Sequence, residues 1–339
     1  MGAAVKTALI AVATTLAGAT TAHAQADYTR CENAGDATVV EVAVASCDDA
    51  RAVATALGAA SDARSESVLR AAGWSPLRAA ATDGRGQYDL VAIRGRSALR
   101  IRRSGSAPDL DGWTAGRELL FARGQLVGGR PAPRGSAVCT SAFLIRLGGH
   151  PGGLSAAHCG GTRSDGTTQR RNAALRRPPQ PGIVVGRVQR NLERRFPLDA
   201  LVLPVPSGAG RPSAAVVDRG VSRPPWFVAG VGRPTSGRRV CFTGRTSGVD
   251  QCGEIVDSSR RRAELLLSAF AGTRVRCTTI QARDGDSGGP VYTAPRNDGT
   301  VYAVGITTLV IGPTARMCFT PIEPVLDALN AQLVTAAPV

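Results

Sequence analysis

The sequence predicts an all-β body preceded by a small α+β unit, and two observations carry that prediction. From about Leu126 onward the chain is a series of short apolar runs separated by Gly, Pro and Arg, too short for helices and spaced like strands. Upstream, residues 27–104 mix an alternating segment, a helix-periodic segment and a hairpin pattern. They end in a Gly-, Pro-, Ser- and Asp-rich stretch from Ser104 to Gly116. At 339 residues the chain exceeds what one compact domain usually needs.

Taken in order, residues 1–24 read as a signal peptide. Met1 and Lys6 give a short charged start, Thr7 to Ala19 are apolar and small, and Ala22-His23-Ala24 supplies a cleavage site. The apolar run is too short for a membrane span, so a secreted protein with no membrane anchor after cleavage is expected. Within residues 25–104, Thr38 to Ala45 alternates like a strand, and Cys47 to Leu57 reads as a helix with Ser46 or Asp48 near its start. Gln87 to Ile93 and Ser97 to Arg102 form a hairpin pattern around Arg94-Gly95-Arg96. Cys31 and Cys47 both lie in this unit and are expected to pair. Residues 105–125 read as a linker, and 126–339 as the second domain. There the strand candidates are Ala142 to Leu147, Ile183 to Val188, Ala200 to Val205, Leu265 to Phe270, Pro290 to Thr293 and Tyr302 to Val310, with Pro324 to Leu333 as a closing helix.

Charge and cysteines narrow the function classes. From Leu126 on there are 27 arginines, no lysines and 13 acids, a net of +14. The arginines are scattered, with few aromatics between them to stack on bases, so a specific nucleic-acid surface is not expected. Eight cysteines in an exported chain suggest disulfides. No Cys-x-x-Cys spacing occurs and only His23, His150 and His158 are present, so a metal site is not expected.

The chemistry concentrates in three segments. Gly285-Asp286-Ser287-Gly288-Gly289-Pro290 presents a serine on a glycine-rich turn whose N–H groups can point at a developing oxyanion. A serine hydroxyl needs a general base, and only His150 and His158 survive signal cleavage. His158 lies in Ala-Ala-His-Cys, while His150 lies in a loop-like Gly-Gly-His-Pro context, so His158 is the base. A buried carboxylate must orient that imidazole. Asp199, in the apolar segment Phe196 to Leu203, suits the role; Asp165, in a Ser-Asp-Gly-Thr turn, reads as solvated.

The chain order His158, Asp199, Ser287, with these flanks, resembles the chymotrypsin-like serine peptidases. Val240-Cys241-Phe242-Thr243-Gly244-Arg245-Thr246-Ser247-Gly248, then Gln251-Cys252-Gly253-Glu254-Ile255, is similar to a hairpin of the bacterial branch that holds α-lytic protease and the streptogrisins. The resemblance implies two six-stranded antiparallel β-barrels with the site in the cleft between them and a C-terminal helix. It implies a secreted, disulfide-bonded, monomeric serine endopeptidase acting on polypeptides through an acyl-enzyme, with no cofactor. The backbone N–H groups of Gly285 and Ser287 would form the oxyanion hole. Cys139–Cys159, Cys241–Cys252 and Cys277–Cys318 would be the disulfides of the body. Gln281, Asp284, Thr308 and Val310 would line the substrate pocket; the bulk of Leu309 and Val310 favours small or medium apolar side chains there, while Asp284 near the rim would pull the preference towards basic ones.

Two departures from the pattern matter. Relatives place an arginine directly after the first hairpin cysteine to pair with the buried aspartate, here Asp286; this chain has Phe242, so another cation is expected. Arg245 is one candidate. Leu126-Val127-Gly128-Gly129 resembles the start of activated trypsin-like enzymes and offers another, a freed amino group, which would make the chain a zymogen; Gln125 does not suit a trypsin-like activator. The N-terminal unit fits either a pro-segment that is cut away or a permanent accessory domain. The alternative from another class is a catalytically silent relative serving as an extracellular binding or adhesion module.

Overall fold

The computed structural model describes residues 27–33, 39–58, 64–82, 86–105, 107, 113–122, 137–160, 172–177, 180–192, 198–205, 215–256, 275–311 and 316–337. The expected signal peptide, Leu126 to Gly129, Asp165 and Leu265 to Phe270 lie outside the described residues.

The N-terminal unit is a five-stranded antiparallel sheet in the order Thr29–Cys31, Val39–Ala43, Ser97–Ser104, Gln87–Arg94, Ser75–Ala81. Two helices, Cys47–Gly58 and Ser65–Ala71, cover one face. Because successive strand side chains point to opposite faces, Leu90, Leu99 and Ile101 pack with Val53, Leu57, Leu69 and Trp74 under the helices. The intervening Val91 and Ala98 pack instead with Leu77 and Ala43 against Val216 and Phe227 of the body. Arg78 donates to Asp218 across this junction at 2.7 Å. The helix Ser65–Ala71 and the strand Ser75–Ala81 carry no clear pattern in the sequence and were not expected.

The body is built from antiparallel β-sheets. A four-stranded sheet runs Gln180–Arg187, Asn172–Arg177, Glu118–Ala122, Ala137–Thr140. A five-stranded sheet runs Arg190–Asn191, Leu201–Pro204, His150–Ser155, Leu144–Leu147, Ala331–Leu333. The eight-stranded sheet follows the path Val216–Val217, Trp226–Val231, Thr300–Ile311, Pro290–Thr293, Arg239–Gly244, Gly248–Glu254, and the strands Arg276–Gln281 and Arg316–Pro321 join it beside Thr300–Ile311. One neighbouring pair, Trp226–Val231 with Thr300–Ile311, is parallel. The all-β body is thus as expected, its sheets consistent with the expected pair of barrels, although no closed ring of paired strands is complete among the described residues. Its ladders are broken by bulges, such as that between Thr307 and Leu309, and by strands of two residues.

The stretch read as a linker over 105–125 contains core structure. Glu118–Ala122 pairs in register with Ala137–Thr140, and Leu119 and Phe121 are fully buried. Trp113 is buried too, its Nε1 donating to the Ala142 carbonyl at 3.0 Å, and Ala115 bridges Val217. Among the described residues, packing into the body is thus present from Trp113 on, ahead of Leu126, and the apolar run Leu119-Leu120-Phe121 is its mark in the sequence. The closing helix also ends early, at Leu329. Asn330 takes a left-handed φ of 49° and turns the chain into the strand Ala331–Leu333. All four disulfides close as expected: Cys31–Cys47, Cys139–Cys159, Cys241–Cys252 and Cys277–Cys318. No helix among the described residues is long and apolar enough to cross a membrane.

Candidate active site

Strand register brings the histidine and the aspartate together. His150–Ser155 and Leu201–Pro204 run antiparallel with Leu201 opposite Ser155, so the residue three past Ser155 and the residue two before Leu201 meet at one end of the pair. Ala157–Gly160 forms a 3-10 turn that carries His158, held by Asn191 Nδ2 donating to the Ala157 carbonyl at 3.1 Å. Asp199 is 4% exposed and accepts twice from the same residue. The His158 ring Nδ1 lies 2.8 Å from Oδ2, and the His158 backbone N–H donates to Oδ1 at 3.0 Å. An ionised carboxylate can only accept, so the proton sits on Nδ1 and Nε2 is left as the basic nitrogen.

Ser287 sits on a turn pinned against this histidine loop. Its carbonyl accepts from Thr140 N–H at 2.7 Å and lies 4.0 Å from Cys159 Sγ, the residue after His158. Thr140 adjoins the disulfide partner Cys139, and its hydroxyl donates to the Gly285 carbonyl at 2.8 Å. On the far side the turn is stitched to Thr307, with Gly288 N–H on the Thr307 carbonyl at 2.7 Å and Thr307 N–H on the Gly289 carbonyl at 2.8 Å. Gly288 has φ +87°, and a Cβ there would lie 2.2 Å from Ser155 Oγ and 2.4 Å from the Thr140 carbonyl, so only glycine fits.

The amides of this turn divide cleanly. Asp286 N–H, Gly288 N–H and Gly289 N–H bond to Arg283, Thr307 and Asp286 carbonyls. Gly285 N–H and Ser287 N–H take no acceptor among the described residues. Two neighbouring donors left over beside a serine are what stabilisation of an oxyanion requires.

Asp286 is fully buried and is not paired with a cation among the described residues. Its Oδ1 accepts from Thr246 N–H at 2.8 Å and Ser247 N–H at 2.9 Å; its Oδ2 accepts from Arg283 N–H at 2.8 Å and from the Ser247 hydroxyl. Among the described residues, four donors stand where a cation was expected. Arg245 turns away, its Nε donating to Glu118 Oε2 at 2.6 Å. Gly244 makes the approach possible, since a Cβ there would lie 2.3 Å from Asp286 Oδ1. Phe242, in place of the relatives' arginine, is buried in an apolar cluster with Val240, Val291 and Phe319.

The hairpin Arg239–Glu254 that supplies three of these donors is itself anchored. Asp250 accepts from Trp226 Nε1 at 2.6 Å, Tyr292 Oη at 2.9 Å and Arg219 Nε at 2.8 Å. The Arg219 guanidinium lies 3.8 Å over the Trp226 ring, a cation–π contact. Burial, and then the Asp250 carboxylate, push the Tyr292 phenol well above its ordinary range.

The expected pocket residues separate. Gln281 pairs with Arg316 and Val310 with Met317, so the two flank the strand Arg316–Pro321; both are exposed. Asp284 is exposed, and its carbonyl accepts from Thr246 Oγ1 at 2.7 Å. The Thr308 hydroxyl is turned inward, onto the Ile306 carbonyl and Thr320. Met317 went unnoticed in the sequence: it is fully buried, with its sulfur 3.5 Å from Thr307 Oγ1, directly behind the strand that braces the Ser287 turn. Thr140, Ser155 and Ser247 also went unnoticed, since a lone Ser or Thr beside a motif carries no signal of its own. His150 is exposed, away from Asp199. Ligand atoms of Cys139, His158 and Cys159 lie within 4.8 Å of one another, but both sulfurs are tied up in the disulfide and cannot act as thiolate ligands.

No known protein family description matches the chain, and no curated protein matches it. Among solved structures the chain is similar to bacterial chymotrypsin-like serine proteases, at low identity. Protease A of Thermobifida fusca is 27% identical, over 63% of this chain and 99% of that one, with a TM-score of 0.42. A chymotrypsin of Cellulomonas bogoriensis is 25% identical, over 67% and 100%, at 0.44, and a Nocardiopsis protease is 20% identical, over 67% and 100%, at 0.44.

Proposed function

We propose that this chain is a secreted serine endopeptidase that cleaves polypeptides through an acyl-enzyme. Three observations support the reading: the His158–Asp199 pair, the Ser287 turn packed on the histidine loop through Thr140 and Cys159, and the two uncommitted amides of Gly285 and Ser287. His158 Nε2 takes the Ser287 proton as the hydroxyl attacks the scissile carbonyl. The carbonyl oxygen becomes an oxyanion that accepts from the two amides. Collapse of that adduct expels the amine, which takes the proton back from His158, and water repeats the cycle to release the acid. Asp199 keeps Nδ1 protonated and stabilises the imidazolium.

The pocket reading is narrower. It rests on the sequence, where the bulk of Leu309 and Val310 favours small or medium apolar side chains at the residue before the cut; Val310 lies on the same strand as Thr307, which braces the Ser287 turn. Four disulfides accord with work outside the cell. The N-terminal unit has its own core and a face docked on Val216 and Phe227, as suits a partner that assists the folding of the body whether or not it is later removed.

The test is pre-steady-state kinetics on an activated ester and on peptide anilides with Ala, Val or Arg before the cut. An initial burst of one equivalent, with the acyl group found on Ser287 by mass, is the expected result. Turnover without a burst or an acylated serine would remove the acyl-enzyme, and a preference for Arg would remove the apolar pocket.

A further inference from the structure

We infer that Ser247 is a positioning residue for the nucleophile turn: its hydroxyl and backbone N–H, with the N–H groups of Thr246 and Arg283, hold buried Asp286 in place of a cation, so the turn forms in the uncut chain. This rests on the serine-peptidase reading above and adds to it how the site is assembled.

Asp286 lies between Gly285 and Ser287, the residues that bear the two uncommitted amides, so the direction of its side chain fixes the peptide planes on either side. A carboxylate at zero exposure must be compensated or it will not stay where it is. Here each oxygen takes two donors, Oδ1 from Thr246 and Ser247 N–H and Oδ2 from Arg283 N–H and the Ser247 hydroxyl. The hydroxyl is the one donor of the four that a side-chain change can delete. Arg245, the candidate cation beside the hairpin donors, is committed to Glu118. A freed amino group would therefore find the carboxylate already saturated. Gly116, whose position a Cβ would bring to 2.7 Å from Thr243, is likewise packed into the body with the chain running on unbroken to Ala122.

The experiment compares the full-length chain with Ser247→Ala and Ser247→Thr by active-site titration, kcat and KM per titrated site, and the intact mass of the protein after fluorophosphonate labelling. The wild type is expected to label at Ser287 with the Gln125–Leu126 bond intact. Ser247→Ala is expected to lose at least tenfold in kcat per titrated site with KM within about twofold, as follows when oxyanion donors move but substrate binding does not. Ser247→Thr, which keeps the hydroxyl, is expected to recover most of it. An unchanged kcat in Ser247→Ala, an equal loss in Ser247→Thr, or labelling of the wild type only after cleavage at Gln125 would overturn the inference. Should Ser247→Ala fail to fold, labelling of the uncut wild type still decides. A folded wild type that never labels strikes at the peptidase reading itself, a distinct failure.

Discussion

Leu201 stands opposite Ser155 in an antiparallel ladder, and that register is what delivers Asp199 Oδ2 to within 2.8 Å of His158 Nδ1. A slip of one residue would turn Asp199 to the other face of the sheet. The His–Asp pair is therefore a property of the five-stranded sheet and not of two loops.

Asp199→Asn keeps the size of the side chain but offers an amide where the imidazole needs an acceptor of fixed polarity, so the wrong tautomer is held. We expect kcat to fall by about 10⁴ with KM little changed and the fold intact. A steady-state comparison with the wild type, alongside thermal unfolding, checks it.

Gly288→Ala tests the turn's seating. The new methyl meets Ser155 Oγ and the Thr140 carbonyl at 2.2 Å and 2.4 Å on a φ of +87°. Loss of activity together with a drop of several kcal/mol in stability is expected, against the roughly 0.5–1 kcal/mol by which Ala ordinarily improves on Gly. Denaturant unfolding of the two proteins measures the difference.

Alkaline pH should unfold the body through Tyr292. Burial and Asp250 raise the folded phenol above its ordinary value. Below about pH 10 both states keep the proton and the full stability is present; above it only the unfolded chain ionises. Stability then falls by up to about 1.4 kcal/mol per pH unit for this one group as pH climbs toward the folded value. Tyr28, raised chiefly by burial, adds in the same direction. Tyr292→Phe should be less stable near neutrality, having lost two hydrogen bonds, yet show a shallower alkaline slope. Unfolding free energies between about pH 8 and 11, spanning the ordinary phenol value, would show it.

Cutting the chain between residues 107 and 113 should leave the N-terminal unit bound, because Leu77, Val91 and Ala98 stay buried on Val216 and Phe227. Arg78→Ala removes the ion-pair contact that Asp218 makes with the N-terminal unit and should let the cut unit dissociate on size exclusion. Immediate separation of the cut wild type would show that the junction is held by the tether alone.

The His158–Asp199 pair, the disulfides and the general β character were legible because each leaves a local mark: motif residues at the site, cysteines in countable pairs, apolar runs of strand length. The start of the body was not, since Trp113 and Leu119 sit beside a Gly- and Pro-rich stretch whose composition reads as a linker, and only pairing with Ala137–Thr140 reveals the strand. The compensation of Asp286 was also hidden. A cation is visible in a sequence, whereas backbone N–H groups aimed by the turn at Arg245 to Ser247 are not. Thr308 shows the same gap from the other side, its hydroxyl committed to Thr320 rather than to the pocket.

The central claim is that Ser287 is an activated nucleophile, and labelling the purified protein with a fluorophosphonate probe tests it most directly. The account predicts one equivalent of label mapping to Ser287, absent in Ser287→Ala and abolished or slowed by at least a thousandfold in His158→Ala, a floor below the roughly 10⁴–10⁶ that loss of a triad member costs in kcat. A folded, fully oxidised protein that takes up no label, or labels equally without His158, would contradict it and leave a binding module on a peptidase-like frame.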